Sequence, residues 1–188
     1  MKRLILVMVV MLMVGGMVSM VRAGSSDTMT LTVTATSAID VTIYATTYDF
    51  GTVALNSTSI SVTSTAVRNT SGTSIETYNL KVSADGTGWT IADSTAGDSN
   101  VRIQAIWNNN KPADAEIIDS ANYNLNTAGK TCDGTLFAGT ATHDGWKVHA
   151  AGGGDEENLW FKLWTPAESG NIAGVKTFYL TITASLSG

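Results

Sequence analysis

Apolar and polar residues alternate with a period of two along most of the chain. Met29, Leu31, Val33 and Ala35 are interleaved with Thr30, Thr32 and Thr34, and Ile39, Val41 and Ile43 continue the rhythm after Ser37 and Ala38. Strict alternation places one row of side chains on each face of an extended strand, so these segments predict half-buried strands. The same pattern predicts strands at Ile60 with Val62, at Tyr78, Leu80 and Val82, at Trp89 with Ile91, and at Val101, Ile103, Ala105 and Trp107. Two more follow at Leu159, Phe161 and Leu163 and at Phe178, Leu180, Ile182 and Ala184. The total is about nine short strands punctuated by turn residues at Asn69 to Gly72, Asp85-Gly86, Ala96 to Asp98 and Gly152 to Gly154. The expected fold is all-β, an antiparallel two-sheet sandwich.

The rhythm fails between residues 108 and 154, a stretch rich in Asn, Asp, Gly and Ala. It reads as one long irregular insertion between strands, with a helical turn expected at Pro112 to Asp119 because Pro suits a first helical position. Long excursions are where sandwiches usually display binding surfaces.

The first 23 residues belong to a different class. Met1-Lys2-Arg3 is positively charged, Leu4 to Val21 is apolar apart from Gly15, Gly16 and Ser19, and Val21-Arg22-Ala23 ends on a small residue. This is the pattern of a cleaved secretion signal, with an uncleaved anchor as the competing reading. The expected domains are a signal peptide over 1–23 and one β-sandwich domain over 24–188. The expected location is extracellular or in the cell envelope, with no membrane attachment after cleavage.

Setting the leader aside changes the composition. Three of the eleven Lys and Arg precede Gly24, which leaves 8 basic against 16 acidic side chains, and Thr and Ser supply 27 and 16 of the remaining 165 positions. So acidic and Thr-rich a chain favours strands over helices and makes a nucleic-acid partner a poor fit. Cys132 stands alone in a chain expected to be exported, so it cannot form an internal disulfide; beside Leu136 and Phe137 it reads as a small buried apolar residue.

Tyr48-Asp-Phe-Gly-Thr-Val53, Val67-Arg-Asn-Thr-Ser-Gly72 and Tyr78-Asn-Leu-Lys-Val82 together resemble the opening of immunoglobulin-like sandwiches in secreted envelope proteins. Gly88-Trp89, the block Leu159-Trp-Phe-Lys-Leu163 with Pro166, and Thr177 to Ala184 resemble a group of uncharacterised secreted bacterial single-domain proteins. The resemblance implies a strand at Phe50 to Val53, a sandwich fold and a surface or filament subunit-like protein. It implies no catalytic residues, and Trp164 departs from the pattern.

No serine-hydrolase elbow, zinc-protease helix motif, Cys-x-x-Cys or phosphate-binding glycine loop occurs, and His143 and His149 stand six apart in the irregular region. The chain is therefore read as not an enzyme, with no cofactor required. Calcium is the metal its chemistry would suit, since hard carboxylate oxygens cluster at Asp93, Asp98 and Asn100, at Asp114, Glu116 and Asp119, and at Asp155, Glu156 and Glu157. If Leu159, Phe161 and Leu163 point inward, Trp160, Lys162 and Trp164 share the opposite face, with the two indoles roughly 13 Å apart. Such a pair, helped by Trp146, is a candidate contact for a polysaccharide or another subunit. The leading expectation is a structural subunit of the cell surface, a filament or matrix component that associates with itself or with other surface proteins by β-strand complementation through its terminal strands. The alternative is a carbohydrate-binding or adhesive module.

Overall fold

The computed structural model describes residues 32, 38–84, 88–113, 117, 120–139, 143–150, 156–167 and 174–188. The leader and most of the alternating run Met29–Ala35 lie outside the described residues. Among the described residues ten strands form two sheets, and the sole helical element is a 3₁₀ turn at Ala121–Tyr123.

The first sheet is centred on β6 (Asn100–Trp107) and β9 (Glu156–Trp164), paired antiparallel from Arg102 opposite Trp164 to Trp107 opposite Leu159. Both strands are covered on their two faces, so polar and charged residues alternate there with apolar ones without being exposed. Arg102, Gln104 and Lys162 are all buried. β3 (Thr65–Asn69) lies on the other side of β9, and β1 (Val41–Ile43) lies outside β3. The two-residue β5 (Thr90–Ile91) pairs parallel with β6 at the far edge.

β2 (Thr58–Ile60) also pairs with β9, but in a different register. Ile60 faces Lys162 and Thr65 faces Leu159, so the four residues Ser61 to Ser64 stand opposite only Trp160 and Phe161. This is a bulge, and the buried Phe161 opposite it has backbone groups that need partners. The fully buried Ser61 supplies them: its N–H donates to the Phe161 carbonyl at 2.9 Å and its Oγ accepts from the Phe161 N–H at 3.0 Å. Val62, expected beside Ile60 in a strand, is 70% exposed on this bulge.

The second sheet is built on β4 (Ile75–Ala84). β10 (Phe178–Leu186) pairs antiparallel with it over nine residues, from Phe178 opposite Ala84 to Leu186 opposite Glu76. The opposite side of β4 is covered piecewise by β7 (Lys130–Thr131) and β8 (Val148–His149), both from the stretch expected to be irregular. Between these two pieces the Tyr78 N–H donates to the Gly145 carbonyl at 2.9 Å.

One core fills the space between the sheets. Val67, Tyr78, Leu80, Val82, Val101, Ile103, Trp107, Leu159, Phe161 and Ile182 form it with Leu125, Cys132, Phe137 and Val148 of the 108–154 stretch. The Tyr78 and Trp107 rings lie 5.7 Å apart, and the Trp107 indole N–H points at the Cys132 sulfur at 3.4 Å.

Three expectations change. Ten strands stand among the described residues where about nine were expected, since β3, β7 and β8 gave no clear alternation. The 108–154 stretch is a structural part of the second sheet and of the core, where an insertion was expected. No strand forms at Phe50 to Val53, because Gly51 takes φ +67°, which breaks extended backbone; Phe50 and Val53 still pack against the core from a turn. The helical turn expected at Pro112 to Asp119 lies largely outside the described residues.

Candidate functional site

The outer face of β9 and β6 was the leading sequence candidate, and its geometry is a covered one. Trp160, Lys162 and Trp164 do share the face opposite Leu159, Phe161 and Leu163, as the alternation requires. Trp160 is only 7% exposed: it packs with Ile106 and Ile117 in a second small cluster, and its indole N–H donates to the Asn108 carbonyl at 2.9 Å. Lys162 is 4% exposed and its ammonium donates to the Ile117 carbonyl at 3.1 Å. The beginning of the excursion therefore roofs both residues, and two indoles cannot stack on successive sugars here.

Trp164 is half-buried. Its ring lies 4.2 Å from the Arg102 guanidinium carbon and 4.6 Å from the Lys162 ammonium, measured to the ring centroid, and its N–H donates to Gln104 Oε1 at 2.9 Å. Cations already occupy the electron-rich ring surface. The remaining edge of Trp164 lines a cleft of about 340 Å³ with Asn56, Ser57, Thr95, Arg102 and Thr165.

Trp146 is the exposed indole, at 41%. It follows Gly145, and Lys147 lies against its ring at 4.6 Å. A Cβ on Gly134 would stand 2.9 Å from the ring, so glycine there is what lets the indole lie down on the loop. His149 lies in β8 and is exposed, while His143 is half-buried in the preceding loop.

Among the described residues the acidic candidates do not converge. Asp93 accepts from Lys130 Nζ at 2.9 Å, and this ammonium holds its carboxyl below the usual range. Asp98 is exposed, Asn100 Oδ1 accepts from the Thr90 hydroxyl, and Glu156 stands opposite Arg68 in the ladder. Asp114, Glu116, Asp119 and Asp155 lie outside the described residues. Among the described residues no three His, Cys, Asp or Glu side chains are grouped so as to hold a metal ion. Glu157 is buried and accepts from the Gly145 N–H at 2.8 Å. Burial pushes the Cys132 thiol up to about 12, which makes it an inert apolar group.

The feature that sequence reasoning located only as a terminal strand is the outer edge of β10. The Ser187 N–H bonds to the Ile75 carbonyl, whereas the Tyr78 and Val82 N–H groups bond away from β10, to Gly145 and Asn126. Antiparallel pairing alternates inward- and outward-directed backbone groups. Tyr179, Thr181, Thr183 and Ser185 therefore turn their N–H and C=O toward β4. Those of Phe178, Leu180, Ile182, Ala184 and Leu186 point away from it. Among the described residues no hydrogen bond reaches these outward groups. The edge carries no charged residue and no proline, two of the devices that blunt an edge strand. The signal for it in the sequence is the uncharged alternating run Phe178–Leu186 itself. No protein-family model matches the chain, and no curated protein shows significant similarity to it.

Proposed function

We propose that this chain is a non-enzymatic, secreted structural subunit of the cell surface that assembles by pairing strand edges. The observation that carries this reading is the nine-residue, uncharged edge of β10, which no strand pairs among the described residues. Five outward N–H and five outward C=O groups in register make a template for another strand, and β-augmentation uses such a template.

The strand order supports an immunoglobulin-like reading of the same feature. β1-β3-β9-β6 follows the A-B-E-D order of that fold, and β4 with β10 follows C-F. The G strand of the fold lies beside F, and no described strand stands in that place. The core is correspondingly thin along this side: Phe178, Leu180 and Ala184 are only partly buried although they pack against it, as are Val41 and Ile43 of β1.

Light scattering coupled to size-exclusion chromatography, followed by negative-stain microscopy of the full chain, tests the reading. Oligomers or filaments that grow with concentration are expected. A monomer that persists on concentration overturns the proposal. A second reading, a glycan contact, rests on the exposed Trp146 alone; equal retention of the chain and its Trp146→Ala variant on a polysaccharide panel removes it.

A further inference from the structure

We propose that the free edge of β10 is filled by the segment Thr28–Ala35 of a second copy of this chain, running antiparallel to β10. This inference rests on the assembly reading above and names both the acceptor and the donor.

The requirements of the edge are specific. A strand laid against β10 bonds to the outward backbone groups of Phe178, Leu180, Ile182, Ala184 and Leu186. Its inward side chains extend the row formed by Phe178, Leu180, Ile182 and Ala184, which lines the core, and cover Leu186, which is 48% exposed. Its outward side chains extend the row of Tyr179, Thr181, Thr183 and Ser185. The filling strand must therefore alternate apolar and small polar residues, must lack charge because inward positions meet the core, and must be about as long as β10.

Thr-Met-Thr-Leu-Thr-Val-Thr-Ala, residues 28 to 35, meets each requirement. Met29, Leu31, Val33 and Ala35 supply the apolar row, Thr30, Thr32 and Thr34 continue the threonine face, and the eight residues match an edge of nine. No Gly, Pro or charged residue interrupts them. Elsewhere in the sequence the same uncharged alternation recurs in β10 itself, which is already engaged with β4.

The donor is assigned to a second copy on the ground of direction. The Asp40 N–H donates to Glu76 Oε1 at 2.8 Å, and Glu76 is the register partner of Leu186. Asp40, five residues after the end of the segment, thus stands near the Leu186 end of β10. From that end the segment of the same chain could reach the edge only running parallel, whereas a second copy is free to lay it antiparallel, the direction of a G strand and of the stronger ladder.

The test is disulfide trapping in the full chain. Thr30→Cys, Thr32→Cys and Thr34→Cys chains are each mixed with a Thr183→Cys chain and mildly oxidised. Facing antiparallel residues stand about 4.5–5.5 Å apart at Cα, within disulfide reach, so a mixed dimer is expected at one donor position and little at the others. Buried Cys132 serves as the internal unreactive thiol. Double variants distinguish the two sources of the strand: a ladder of linked chains supports the proposal, and a monomer closed on itself overturns it. Ala184→Pro removes an N–H directed away from β4, and Val33→Pro interrupts the alternating donor segment. Each is expected to weaken assembly by at least about tenfold, with the β-sheet circular dichroism retained. Assembly lost with Ala184→Pro but unchanged with Val33→Pro, without trapping, overturns the donor and leaves the assembly reading standing. No assembly in any chain, the unsubstituted one included, overturns both.

Discussion

Gly145 offers the sharpest check on how the 108–154 stretch is locked to the sandwich. The residue is buried at φ +66°, its N–H donates to Glu157 Oε2 at 2.8 Å, and its carbonyl accepts from the Tyr78 N–H at 2.9 Å. A Cβ at this position would stand 2.4 Å from the Trp107 indole nitrogen and 2.7 Å from the Cys132 sulfur. Trp107 is fully buried and Cys132 is 1% exposed, so neither neighbour has room to withdraw. Gly145→Ala therefore carries two costs: about 1–2 kcal/mol for the left-handed backbone, and about 1–3 kcal/mol for overpacking. Gly72 separates them, because it has φ +82° and nothing within 4 Å of its would-be Cβ. Gly72→Ala carries the backbone cost alone. Urea unfolding followed by tryptophan fluorescence, compared at equal m-value, should place Gly145→Ala below Gly72→Ala by about 1–3 kcal/mol. Two variants that unfold within about 0.5 kcal/mol of each other would refute the contact of Gly145 with Trp107 and Cys132.

Three further outcomes concern buried side chains. Ser61→Ala removes the acceptor for the Phe161 N–H inside the bulge and should cost about 1–3 kcal/mol, while Ser59→Ala in β2 serves as the control; equal effects in urea unfolding would mean that the bulge does not depend on Ser61. Burial raises the pKa of the fully buried Glu76, with the Asp40 N–H opposing, so the native state holds this proton to higher pH than the unfolded chain does. Stability should then fall as pH rises from the ordinary glutamate value through the raised one and level off above it; Glu76→Gln, which keeps the Oε1 acceptor, should flatten that slope in thermal melts, and an unchanged slope would assign the pH dependence elsewhere. With its thiol pushed up to about 12 beneath Trp107, Cys132 should react with Ellman's reagent only in denaturant, and rapid labelling of the folded chain would contradict its burial.

Alternation along the chain determined the long elements, because a strand with one face in the core and one in water has no other way to be written. β4, β6, β9 and β10 all stand where apolar residues recur at every second position. Alternation also separated Trp160, Lys162 and Trp164 from Leu159, Phe161 and Leu163. Whether that outer face meets water was a tertiary matter: Ile117 and the Asn108 carbonyl reach Trp160 from outside the strand, and nothing in residues 156–164 encodes the roof. The same holds for β7 and β8, two residues each, whose only reason to be extended is that Asn79–Leu80 and Ile75–Glu76 offer them a ladder. The free edge lies between these cases. The sequence wrote Phe178–Leu186 as an uncharged strand, but only the pairing order put β4 on one side of it and no described strand on the other, since hydrogen-bond partners across a sheet come from segments about a hundred residues apart.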